Sequence, residues 1–314
     1  MDDHFDLKLM TYNIGGGRRD FGSRFGGILE IIRRESPDIL GIQEAIEWSA
    51  WEEGDVSQPR QIVADGLKNY NHFFGPTLSM REDFHVQKDI FVYGLFNDWK
   101  NWIQGNALFS RWRFVRFGNS DETGQPENIP INQTIYSGNR DTDPRHAILA
   151  KIDLGPAKIF TLVTHLTTLN GERGARAIPR KSEEAQALRW EQCERILDLT
   201  RTFILEKNEV LIMMGDLNAT PDEPGLLASL EHKGGLVRLI PSRTTGTHVK
   251  VAEEPVDHIL IFPGNYHIKY SCRVVEDGFI ASDHNPVVAE ISLYNSKSKA
   301  YREHGAGVFR EDPQ

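Results

Sequence analysis

The chain is 314 residues long, 39% hydrophobic and 10% aromatic, with 36 basic residues against 45 acidic ones and a net charge of -9. That is ample material for a large core, while the acidic average field disfavours a non-specific nucleic-acid binder, whose phosphate-seeking surface is basic, without excluding a local basic groove. Two cysteines, Cys193 and Cys272, build neither a disulfide framework nor a four-thiolate zinc site, and no apolar run approaches the roughly 20 residues that span a bilayer.

The opening Met1-Asp2-Asp3-His4 is acidic and runs straight into a strand-like stretch. It has no basic and then apolar leader, so the expectation is a soluble cytoplasmic protein in a reducing compartment. Apolar runs read as strands, several of them buried on both faces, over residues 7–14, 39–42, 91–96, 147–152, 159–163, 210–214, 259–262 and 287–291. Phe25, Ile28, Leu29 and Ile32 share one face of a helix that stops before Pro37. The strongest helical pattern runs from about Ser182 to Glu206, with Ala185, Leu188, Ile196, Leu199 and Phe203 in its stripe. Gly155-Pro156 forms a turn between the adjacent strands 147–152 and 159–163. Strands punctuated by helices, with no repeat and no linker, predict a layered α/β sandwich in one domain over residues 1–294, followed by a loose polar tail over 295–314. Residues 47–60 and 118–144 read as irregular insertions, either walls of a substrate groove or solvated loops.

Polar groups recur where the apolar runs stop. Asn13 closes the first run and Glu44 the second; His165 closes Thr161-Leu162-Val163-Thr164. Asp216 and Asn218 follow the run ending at Met214, Asp257 opens the next, and Asp283-His284 precedes the last. Taken singly, each has an ordinary explanation as a cap or a turn residue. As a set at strand ends they are costly to bury unless they hold a cation or a substrate. Carboxylate and amide oxygens suit Mg²⁺ or Mn²⁺, and the sequence contains no HExxH or CxxC that would favour zinc. A histidine paired with an aspartate can serve as a base or as a cation, which is what hydrolysis of a phosphate ester requires.

Seven blocks carry a resemblance to a known family: Thr11-Tyr12-Asn13-Ile14, Gln43-Glu44, Gly105-Asn106-Ala107-Leu108-Phe109-Ser110, Thr164-His165-Leu166, Gly215-Asp216-Leu217-Asn218-Ala219-Thr220-Pro221, Val256-Asp257-His258-Ile259-Leu260 and Ser282-Asp283-His284. Their order resembles the endonuclease/exonuclease/phosphatase superfamily, which includes deoxyribonuclease I, exonuclease III-like abasic-site nucleases, inositol polyphosphate 5-phosphatases, bacterial sphingomyelinases and deadenylases. The resemblance implies a four-layer α/β sandwich, two mixed β-sheets face to face flanked by helices, and a Mg²⁺- or Mn²⁺-dependent phosphoesterase. It implies Glu44 as the principal metal ligand with Asn13 beside it, and Asp283 at a position that can serve a metal. Asp216 and Asn218 would orient the attacking water and contact the phosphate, His284 would be the catalytic histidine held by Asp257, and His165 would stand on the phosphate side. Asn106 either reaches the substrate side or forms a turn, and Arg145 either binds phosphate or makes a surface ion pair. The chain departs from the family at His258, where Tyr is common, and at Pro255, where Arg is common; His258 reads as a packing group.

The substrate is left open. Arg18-Arg19 and Arg111-Trp112-Arg113 offer small phosphate-reading clusters, and Arg173, Arg176, Arg180 and Lys181 are candidates for a polyphosphate. Trp99-Lys100-Asn101-Trp102-Ile103 is the one stretch with the character of a membrane-touching hairpin, and its tryptophans read more readily as core or groove wall. The expectation is a phosphodiesterase, with a phosphomonoesterase acting on a small metabolite or inositol phosphate, or a non-catalytic scaffold of the same fold, as alternatives. Nucleic acid stays open as a substrate without being favoured by charge, and the oligomeric state is not legible.

Overall fold

A computed structural model describes residues 4–15, 24–50, 54–79, 102–118, 123–132, 134–137, 140–155, 157–174, 176–243, 245–249, 251 and 253–311. The first apolar run becomes β1 (His4–Asn13), lying between antiparallel β14 (Val287–Tyr294) and parallel β2 (Ile39–Ala50). This sheet continues through β5 (Trp102–Ser110) to β4 (Asn71–Ser79) on one side, and through β13 (His267–Val274) to β15 (Gly307–Arg310) on the other. β3 (Gly54–Ser57) pairs with the far half of β2. In the second sheet, β11 (Val237–Arg238), β12 (Asp257–Phe262), β10 (Leu211–Asp216), β9 (Lys158–His165), β8 (Arg145–Asp153) and β6 (Phe114–Val115) lie in that order, with β7 (Glu127–Asn132) also paired to β8. Both sheets are mixed, because β1/β2 and β9/β10 are parallel while their outer neighbours are antiparallel.

Side chains alternate across each strand, so the runs of uniform hydrophobicity divide between a core shared by the two sheets and an outer core on each sheet. Leu7, Leu9, Ile212 and Met214 meet between the sheets. Met10 and Tyr12 face the opposite way, against Ile28, Leu29 and Ile32 of α1 (Phe25–Glu35). A single helical turn, α2 (Gln58–Gln61), follows β3. Leu211 and Met213 face α3 (Pro179–Thr200) and α4 (Leu226–Gly234), which cover the second sheet with Ile196, Leu197, Leu226 and Leu230. The result is helix, sheet, sheet, helix. α1 has no side-chain cap at Arg24. A cap contributes about 1 kcal/mol, whereas each buried Ile or Leu contributes about 1.5–3 kcal/mol, so packing holds this helix in place. The sheets approach closely at Gly41, where a Cβ would lie 3.0 Å from Met214 Cγ and Val163 Cγ2.

Several expected boundaries shift. The helix expected from Ser182 begins at Pro179, where proline suits a first turn, and a π-turn over Arg201–Leu205 carries it onward. Residues 47–60 are largely regular, because β2 runs on and pairs Glu47 with Ser57 and Trp48 with Val56. Within 118–144, β7 tolerates Pro130 because its register shifts beside that residue and it pairs only with β8. The stretch from Asn295 is not a loose tail: it forms α5 (Lys299–His304), capped by Ser298, and β15, which pairs in parallel with β13. The strand expected at 91–96 lies outside the described residues. Among those that are described, no helix is long and apolar enough to cross a membrane.

One buried ion network ties helix to loops. Arg189, 2% exposed, donates through Nη1 to Thr167 O and Glu172, and through Nε and Nη2 to Glu223 at 2.8 and 2.6 Å. It thereby anchors the loops that follow β9 and β10 onto α3. Arg189→Ala leaves the buried Glu223 without its cation and Glu172 with Arg173 alone, and a destabilisation of about 3–5 kcal/mol is expected in denaturant unfolding. Gly215 is a second fixed point: its φ is +154°, and a Cβ would stand 1.9 Å from Thr164 O. Gly215→Ala is expected to cost more than ~2 kcal/mol in the same measurement.

Candidate active site

Parallel pairing brings strand ends together. In register, Asn13 lies beside Gln43, and His165 lies beside Asp216, which in turn sits opposite Asp257. The first sheet thus delivers Asn13, Glu44, Asp283 and His284 to one end of the sandwich, and the second delivers His165, Asp216, Asn218 and Asp257. Two of these residues adopt left-handed backbone, Glu44 at φ +57° and Asn218 at φ +50°. Glu44 lies in a register shift between Ile42 and Ala45, a bulge that re-aims its side chain out of the strand alternation. Such backbone persists only where its surroundings enforce it, and it clusters at functional sites.

Asp216 is the meeting point. Its Oδ1 accepts from the Asn218 backbone N–H at 2.9 Å and its Oδ2 accepts from Asn13 Nδ2 at 3.0 Å. His165 Nε2 and His284 Nε2 stand 3.4 and 3.6 Å from the same Oδ2. His284 Nδ1 lies 2.8 Å from Asp257 Oδ2, which fixes the tautomer as an Nδ1–H donor. Asp257 is anchored by its backbone N–H to Thr247 Oγ1 at 3.0 Å. Asn218 is held from both sides, donating to Leu166 O and accepting from Arg173 Nη1. His258 Nε2 meets Ala219 O at 2.8 Å, which places it as a buried support beneath this loop.

Burial opposes charge on every one of these groups, and the partners decide the outcome. At Asp216, burial would raise the pKa, but His284, His165 and the two amide donors hold the carboxyl far below its usual range. At His284, burial is outweighed by the Asp257 and Asp216 carboxylates, which raise the imidazole well above its ordinary value. His165 goes the other way: burial and the Arg145 charge press it down to about 3, leaving a neutral ring at pH 7. The site therefore holds one imidazole that favours its proton and one that refuses it.

Glu44 and Asp283 form the more open side. Arg140 Nη2 stands 3.4 Å from Glu44 Oε1, and Asn13 Nδ2 reaches the same oxygen at 3.5 Å. Asn13, expected as a metal ligand, serves both carboxylates as an amide donor while its Oδ1 accepts from Gly15 N–H at 2.9 Å. Asp283 is half exposed, with Oδ2 3.8 Å from His248 Nε2. Arg145 is buried rather than a surface ion-pair residue, and it lines a cleft with Glu44, Asn106 and His165; its Nε has no hydrogen-bond partner among the described residues. Asn106 lies within β5 and not in a turn, donating across to His146 O at 3.1 Å.

Other expected contacts fall away from this end. Arg111 pairs with Asp38, before β2, and Arg113 with Asp153, the last residue of β8, at the strand ends opposite the site. Lys181 is engaged with Asp141 and Glu184. Arg18, Arg19 and Trp99 lie outside the described residues. Arg140, Thr247 and His248 escaped sequence reasoning, because each lies in a polar stretch without periodicity. Among the described residues, two sets of side chains bring one ligand atom each to within 4.8 Å of one another: Asp216, Asp257 and His284, and His248, Asp283 and His284.

The model of the endonuclease/exonuclease/phosphatase family matches residues 10–284. No curated protein sequence matches the chain. Among solved structures, an endonuclease/exonuclease/phosphatase from Beutenbergia cavernae DSM 12333 is 20% identical with a TM-score of 0.64, covering 92% of this chain and 72% of that one. The human Nocturnin catalytic domain with bound sulfate is 18% identical (TM-score 0.56, covering 92% of this chain and 94% of that one). A humanized D. rerio TDP2 is 13% identical, with a TM-score of 0.58 and coverage of 91% and 98%. At these identities the likeness establishes a shared fold, and the family match carries the assignment: this chain belongs to the endonuclease/exonuclease/phosphatase family.

Proposed function

We propose that the chain is a divalent-metal-dependent phosphoesterase that hydrolyses a phosphodiester with Mg²⁺ or Mn²⁺ as cofactor. The observation that carries this reading is the Asp257–His284 pair, whose free ring nitrogen faces Asp216 across the junction of the sheets. A binding module has no use for a buried carboxylate–imidazole–carboxylate row, because keeping those charges out of water is costly. That argues against a non-catalytic scaffold.

The residues fit a hard cation. Glu44 offers a carboxylate on the wall of the cleft, Asp283 a half-exposed one, and the Arg140 guanidinium already stands against Glu44 as a positive charge. In this proposal Glu44 is the principal ligand, Asn13 fixes its direction and Asp283 completes the open side. A bound Mg²⁺ or Mn²⁺ would supply positive charge to the phosphoryl oxygens and the departing group. Around it, Asp216 and Asn218 orient the attacking water; the charge of a bound cation would lower the His284 pKa that the two carboxylates raise, so that the ring takes the water's proton at Nε2 and is stabilised as an imidazolium by Asp257. Neutral His165 donates to a phosphoryl oxygen without adding charge, and Arg145 and Asn106 receive the substrate phosphate. Three guanidinium groups near the site, Arg140, Arg145 and Arg173, favour a heavily charged ester. This supports a second reading as a phosphomonoesterase on a small metabolite or inositol phosphate. A cytoplasmic setting is part of the proposal, supported by two free, buried cysteines.

Hydrolysis of bis-p-nitrophenyl phosphate, compared with p-nitrophenyl phosphate in Mg²⁺, Mn²⁺ or EDTA, separates the two readings. Cleavage of the diester that disappears in EDTA is expected; cleavage of the monoester alone moves the assignment to a phosphatase. Glu44→Gln should abolish the rise in melting temperature that Mn²⁺ produces in the wild type. His284→Ala should lower kcat at least ~100-fold with melting behaviour preserved, and undiminished turnover would remove His284 from the mechanism.

A further inference from the structure

Beside the oxygen-rich position at Glu44 lies a set of donors of different chemistry. We propose that His248, Asp283 and His284 form a second cation site, sharing Asp283 with the first and selective for a borderline transition metal such as Zn²⁺. Each contributes one ligand atom, all within 4.8 Å of one another. His248 Nε2 stands 3.8 Å from Asp283 Oδ2, and the two imidazoles meet edge to face with centroids 4.6 Å apart. Zinc bonds of 2.0–2.1 Å place tetrahedral ligands about 3.4 Å apart, so closure needs only side-chain adjustment.

The backbone beneath these groups is paired. Val249 N–H donates to Asp283 O at 3.0 Å, Asn285 N–H donates to Thr247 O at 2.7 Å, and His248 faces His284 in an antiparallel bridge. The second imidazole is prepared in the manner of metal-binding histidines, with Nδ1 engaged by a carboxylate, Asp257, and Nε2, 3.6 Å from Asp216 Oδ2, left to take an ion in place of its proton. His248 is partly accessible and Asp283 half exposed, so an ion can enter and keep open positions. Two nitrogens and one carboxylate favour Zn²⁺, Co²⁺ or Mn²⁺ over Mg²⁺, which demands oxygen.

Such an ion would occupy the same His284 nitrogen that the proposed mechanism uses as a base, making the site inhibitory; this consequence, unlike the site itself, rests on the proposed function. The test is equilibrium dialysis of Zn²⁺ against the full chain in excess Mg²⁺, with Co²⁺ absorption spectra as an independent readout. Wild type, His248→Ala, His248→Asn and Glu44→Gln are compared. The expected result is a Zn²⁺ affinity that falls at least tenfold in both His248 variants, with the Co²⁺ spectrum altered, while Glu44→Gln retains both. Zn²⁺ affinity and Co²⁺ spectra in the His248 variants equal to the wild type would overturn the site. Histidine-dependent Zn²⁺ binding that leaves hydrolysis in Mg²⁺ untouched would instead uphold the site and count against His284 as the base.

Discussion

A carboxylate sealed away from water keeps its charge only if the protein brings donors and positive charge to it, and Asp216 is where this protein meets that demand. One of its oxygens takes a backbone N–H from its own loop; the other takes an amide from the opposite sheet and lies against two imidazoles. These partners stand at or just beyond the ends of four different strands. The position of one buried charge therefore fixes the relative placement of β1, β9, β10 and the turn before β14. The His284–Asp257 bond repeats the arrangement across the same junction, with the imidazole supplied by one sheet and its carboxylate by the other.

The backbone is arranged to serve this cluster at some local expense. Glu44 and Asn218 both hold left-handed conformations that non-glycine residues avoid. Neither would survive in an isolated strand end. Glu44 is enforced by the bulge between β2 and β5, and Asn218 by hydrogen bonds to Asp216, Leu166 and Arg173. The Arg189 network secures the loops on which Asn218 and Arg173 depend, so a residue that does not touch the cluster still governs its shape.

Much of this was legible in the amino acids. Uniform apolar runs ending in Asn, Glu, His or Asp gave the buried strands and the side chains at their ends, because burial and chemistry both leave strong compositional marks. Among the strands that escaped, β4 and β13 carry polar or aromatic residues on a partly exposed face, as in β13, where Tyr270 and Cys272 are buried between exposed Ser271 and Arg273, while β5 is buried over residues 104–110, a stretch that opens on Gln104-Gly105-Asn106 rather than on a uniform apolar run. β15 escaped because four residues form a strand only when a neighbour such as β13 is already in place. Arg140 and His248 were invisible for a related reason. They reach the cluster through tertiary placement of irregular segments, for which sequence has no periodic signal. The inward course of Arg145, by contrast, is a matter of burial that composition around it did not disclose.

The close approach of the sheets at Gly41, against Met214 and Val163, has a consequence of its own. Three contacts of the polar cluster, Asn13–Asp216, His284–Asp216 and His284–Asp257, run from one sheet to the other, so the gap between the sheets acts as a calliper on the reacting groups. A core substitution that widens or shears that gap slightly would leave the hydrophobic layers intact and yet pull imidazole from carboxylate. In this architecture the packing of the interior is a dimension of the chemistry as well as of stability, and activity is the more sensitive gauge of the two.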